Sequence, residues 1–155
     1  MVENQTKLNF AGLWLLLILL LPALVLWPVY SNDIVFTFYF YNILIITAPV
    51  FFLRYIFFIK YTFIEKTIVP KLLIMPLALI LGIYSYIILN EFIDFYNNNG
   101  IYYSLEDFSL DKQEFLGNYI FRQFIFFAAF TMITCIVIPF RMLISVWRVY
   151  NKGHE

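Results

Sequence analysis

Charge is scarce in this 155-residue chain: Asp, Glu, Lys and Arg make up only 13% of it, about half the share of an ordinary soluble domain. With 63% apolar and 22% aromatic residues, a water-soluble fold of this size cannot hide its hydrocarbon. Ten cations balance ten acids and the pI is 6.6, so the chain has no basic surplus to neutralise phosphates, which excludes a nucleic-acid-binding domain. A single cysteine, Cys135, rules out a disulfide framework and a dithiol cycle; set in an apolar stretch, it reads as a packing residue. The single histidine, His154, has no neighbour at metal-ligand spacing. The sequence therefore predicts no catalytic residue, no metal and no cofactor.

The charges also have gaps between them. Residues 8–32, 34–53, 72–90 and 123–140 contain none. Runs of about 18 or more apolar residues cross a hydrocarbon core roughly 30 Å thick, and they lack the period-two alternation of a membrane barrel. The expected fold is an all-α bundle of four transmembrane helices, a single domain over residues 1–155, with spans near Leu8–Tyr30, Ile34–Ile59, Val69–Asn90 and Asn118–Trp147. The first run continues through Leu24, Val25, Leu26 and Trp27, too long for a signal core; it is expected to be a retained anchor. No internal repeat is visible.

Lys7, Arg54, Lys60, Lys66, Lys71, Arg141, Arg148 and Lys152 fall on one side of this layout. Asp33, Glu91, Asp94, Glu106, Asp107, Asp111 and Glu114 fall on the other, with only Lys112 and Arg122 among them. The positive-inside rule places both termini and the 60–71 loop in the cytoplasm, and residues 91–117 in an outer loop. Trp27, Tyr30, Trp147 and Tyr150 suit interfacial anchors, and Trp14 suits a position near the inner interface. Asn97 to Gly100 read as a turn. Ser104 followed by Glu106 and Asp107 reads as a helix start, so residues 104–116 are expected to form a short interfacial helix with Leu105, Phe108, Phe115 and Leu116 on its apolar face.

Each span carries a proline: Pro22, Pro49, Pro76 and Pro139, with Pro28 and Pro70 near helix ends. These predict kinks whose freed carbonyls need new donors from Ser, Thr or neighbouring helices; Thr47 lies two residues before Pro49. Ala78, Gly82 and Ser85 form a small-residue face on the third span, which predicts close helix packing. Asn42, Thr37, Thr47, Ser85, Thr131 and Thr134 are the polar groups within the spans, expected to bond between helices. The deepest charges, Arg54 and Arg141, lie close enough to the ends to snorkel, and Glu91 and Asp94 read as interfacial acids. Without an ionisable group at mid-span, the chain lacks the usual carrier of a proton-coupled pump. The reading is a non-catalytic membrane protein that binds other transmembrane helices and lipid.

Leu21-Pro22-Ala23-Leu24, Tyr41-Asn42 followed by Thr47-Ala48-Pro49-Val50, and Phe130-Thr131-Met132 with Pro139 and a basic tail resemble stretches of the polytopic immunity proteins of pore-forming colicins, of the colicin A and colicin B type. The first outer loop, Ser31 to Asp33, is shorter than theirs, and the Lys that precedes their Thr-Ala-Pro has no counterpart. The resemblance implies a bacterial inner-membrane protein that blocks a toxin's pore domain by recognising its helices in the bilayer. Candidate partner-binding residues are Thr47, Ala48, Pro49, Ala78, Gly82, Ser85, Phe108 and Asp111. Two alternatives stand beside this one: an accessory or assembly subunit of a larger membrane complex, and a small channel or transporter subunit.

Overall fold

A computed structural model describes residues 2–98 and 100–152; His154 lies outside them. The described residues form an all-helical fold with no strand, and four helices are long and apolar enough to cross a membrane. In chain order the elements are α1 (Val2–Val25), the short α2 (Trp27–Tyr30), α3 (Tyr39–Phe58), a 3₁₀ turn (Ile59–Tyr61), α4 (Val69–Asn97), the short α5 (Gly100–Tyr103) and α6 (Leu110–Lys152). Pro28 and Pro70 stand in the first turns of α2 and α4, where the missing amide has no helical partner to lose. Pro22, Pro49, Pro76 and Pro139 lie inside helices.

Helix α6 is the centre of the bundle. It runs parallel to α3, with Thr131 beside Ile45 and Arg141 beside Ile56. It is antiparallel to α4, with Phe124 on Phe92 and Cys135 opposite Gly82. Helix α1 leans on α3, held by the indole of Trp14, which donates to the Val50 carbonyl at 2.8 Å. Trp14 is thus buried among Phe10 and Phe58, as a buried indole N–H settles where an acceptor meets it. Trp27, Tyr30, Trp147 and Tyr150 are exposed.

Several helix boundaries differ from the sequence expectation. The first span breaks at Leu26, and a turn ending at Asp33, in the left-handed region with φ of 51°, redirects the chain. Residues 34–38 then form an irregular segment outside the second helix, burying Ile34, Phe36 and Phe38 while exposing Val35 and Thr37. That alternation fits a segment lying across the end of the bundle. Helix α4 continues past Asn90 to Asn97. In place of a separate interfacial helix over 104–116, residues 104–108 are turns, and Leu110 begins α6, which runs unbroken for 43 residues.

At 1.5 Å per residue α6 is about 65 Å long, roughly twice a hydrocarbon core. Its first turns and the end of α4 therefore pack on each other beyond the apolar span. Phe36, Phe38, Phe92, Ile101, Leu105, Leu116, Ile120 and Phe124 form the core of this acidic end. The rings of Phe92 and Phe124 stack with centroids 3.9 Å apart. A second core, of Phe52, Ile59, Ala78, Cys135, Ile138 and Met142, fills the basic end. There Lys7 reaches Glu65 at 3.1 Å, tying the start of α1 to the α3–α4 connection.

Candidate functional site

In an apolar medium a backbone carbonyl without a donor costs several kcal/mol, so each helix interruption has to be answered. Pro49 has no amide for the carbonyl of Ile45, four residues earlier. That carbonyl accepts from the Thr131 hydroxyl of α6 at 2.7 Å. The carbonyl of Val25, where α1 stops, accepts from the Tyr119 hydroxyl at 2.7 Å. The carbonyl of Ile56, in the last turn of α3, accepts from Arg141 Nε at 2.7 Å. Helix α6 thus supplies a side-chain donor at three levels, and these bonds set its register against α1 and α3. Thr47, two residues from the proline, makes no such interhelical bond, and its hydroxyl returns to the carbonyls of Ile43 and Leu44 in its own helix.

Other buried polar groups have no such partner. Asn42, fully buried, has neither amide atom hydrogen-bonded, and the Ser85 hydroxyl is also unpartnered. Both sit inside the bundle. Gln123 differs in position: it is 8% exposed, its Oε1 and Nε2 have no partner, and it lines a groove. A buried primary amide offers two donors and an acceptor, and leaving them unmade costs about 1–3 kcal/mol.

That groove, about 720 Å³, lies between the end of α1 and the first half of α6. Val25 closes one side. Phe115, Phe126 and Phe127 supply apolar walls, and Asp111, Glu114, Asn118 and Arg122 rim it with polar groups. The groove exists because α1 follows α3 and ends at Val25, leaving one face of α6 without a helix against it. It combines greasy walls with charges of both signs at one end, and the unpartnered Gln123 amide is buried behind its lining. An acyl chain satisfies only the first of these; a polypeptide segment satisfies both.

Of the candidate partner-binding residues, only Asp111 lies in this groove. Phe108 is half-buried at the turn before α6, with the Lys112 ammonium 4.3 Å from its ring centre. Ala48 and Pro49 are buried in α3, while Thr47 borders a smaller crevice with Ile18, Pro22 and Ala23 of α1. Ala78 and Ser85 are buried and half-buried Gly82 faces Cys135, where an added Cβ would stand 3.1 Å from the cysteine Cβ. These three small residues let α4 and α6 approach, so the structure does not join them to the groove. Gln123 was absent from the residues singled out in the sequence, and its one signal there is its place as the first residue of the last uncharged run, directly after Arg122.

No group of three or more His, Cys, Asp or Glu among the described residues is placed to hold a metal ion. No family model, curated protein or solved structure matches this chain.

Proposed function

We propose that this protein is a non-catalytic binding protein of the bacterial inner membrane that blocks a pore-forming bacteriocin by recognising its helices within the bilayer. The observation that carries the reading is the Gln123 groove: an apolar trough with a charged rim on the central helix, laid over a buried amide without a partner, suits a partner that is itself a membrane-inserted helix. Such recognition needs shape, packing and a few hydrogen bonds. Both termini lie in the cytoplasm, by the weight of Lys and Arg at one end, and the helical cap formed by α5 and the ends of α4 and α6 faces outward. The groove then opens toward the leaflet a toxin reaches first. Phe108 and Asp111 lie at the cap, within reach of an arriving chain, and the layout resemblance to colicin immunity proteins agrees with this role.

Cells expressing the protein, challenged with a panel of pore-forming bacteriocins, are expected to survive at least one that kills the parent strain. Full sensitivity to the whole panel overturns the reading. Stoichiometric co-purification with unrelated resident membrane proteins in mild detergent would instead assign the same groove to an accessory subunit.

A further inference from the structure

The opposite end of the bundle holds a second pocket of different chemistry. Lys60, Lys66, Arg141 and Arg148 line a space of about 420 Å³ together with Glu65 and Ser145. The carboxylate of Glu65 is already engaged by Lys7 at 3.1 Å, and its backbone carbonyl accepts from the buried Lys71. Among the described residues no acid pairs with the four lining cations. Arg141 is fixed in the wall by its Nε bond to the Ile56 carbonyl, which leaves its two terminal nitrogens as free donors. Four positive side chains converging beside a single carboxylate that Lys7 already engages repel one another, and an anion in their midst reverses that.

The surroundings say what kind of anion. Trp147 and Tyr150, both exposed, mark the interfacial level on the same turns of α6. Ile144 lies three residues from Arg141 and four from Arg148, on the same helix face, and Val137 and Phe140 continue that face toward mid-span; all three are exposed apolar residues. We propose that this pocket binds the phosphate of an anionic phospholipid, with the acyl chains lying along Val137, Phe140 and Ile144. Basic pockets between transmembrane helices take such headgroups. The proposal rests on the membrane-spanning helices and not on bacteriocin recognition.

The test is native mass spectrometry of the full-length protein in detergent, offered phosphatidylglycerol and phosphatidylcholine in equal amounts. The expected result is preferential retention of phosphatidylglycerol. In the Lys60→Gln/Lys66→Gln/Arg148→Gln variant, which leaves the Arg141 anchor in place, that preference falls at least about tenfold, since each basic residue near a headgroup contributes roughly fivefold. A Lys112→Gln/Arg122→Gln variant at the other end keeps it. Equal retention of the two lipids, or an equal loss of preference in both variants, overturns the site. A separate titration with inorganic phosphate distinguishes the source: saturable phosphate binding without lipid preference overturns the lipid assignment. Circular dichroism of each variant separates lost binding from lost folding.

Discussion

The hydroxyl of Thr131 on α6 lies 2.7 Å from the carbonyl of Ile45 on α3, the carbonyl that Pro49 leaves without an amide donor. Proline and threonine, 82 positions apart in the sequence, thus form one structural device. The proline in α3 is tolerable because α6 answers it, and α6 is held in register because the missing amide leaves an acceptor.

Removing the hydroxyl with Thr131→Val is expected to cost about 0.6–1.7 kcal/mol, the range for interhelical side-chain bonds in membranes. In a Pro49→Ala background the new amide supplies Ile45, and Thr131→Val becomes nearly neutral. A double-mutant cycle on reversible unfolding in mixed micelles measures the coupling. Equal costs in both backgrounds would show that the bond is incidental.

Gln123→Leu separates stability from binding. Because the native amide is buried without partners, the apolar replacement is expected to leave stability unchanged or raise it by up to about 1–3 kcal/mol. Protection against the cognate toxin should fall in the same variant. A Gln123→Leu protein that is less stable yet equally protective would show that the groove is not the recognition site.

The cap at the acidic end depends on Gly100, where any Cβ overlaps the ring of Phe95. Gly100→Ala is expected to destabilise by about 1–3 kcal/mol through overpacking. Gly12→Ala, in the open face of α1 with nothing near its Cβ, is expected to be neutral or stabilising by up to about 1 kcal/mol through helix propensity. Thermal unfolding of the two variants side by side checks the contrast.

Topology can be read with cysteine chemistry, because the one native thiol, Cys135, is buried. Exposed Asp107 and Thr67 lie at opposite ends. In intact spheroplasts Asp107→Cys is expected to react with a membrane-impermeant maleimide and Thr67→Cys only after lysis. The reverse pattern would invert the orientation.

Four spans were legible because a charge in hydrocarbon is so unfavourable that its absence outlines the membrane segments. Their ends were not, because beyond the lipid that constraint vanishes. Ser104 followed by Glu106 and Asp107, with the apolar face of Leu105, Phe108, Phe115 and Leu116, made residues 104–116 look like a separate interfacial helix, whereas the helix starts at Leu110 and is continuous with the span, Leu116 and Ile120 joining the core at that end. The run from Ile34 to Phe38 has the composition of a buried helix, and its alternating burial arises only because it crosses the end of the bundle. Pro49 and Thr131 were each recognisable as a kink and a donor, but their pairing required the parallel register of α3 and α6. The groove was further from view, since it is created by where α1 is not.

The most direct measurement is potassium efflux from cells exposed to each toxin of a pore-forming panel, with the native protein, with Gln123→Leu and without either. Recognition through the Gln123 groove predicts that the native chain suppresses efflux for at least one toxin and that Gln123→Leu restores it at equal expression. Efflux that is the same in all three strains for every toxin would contradict it.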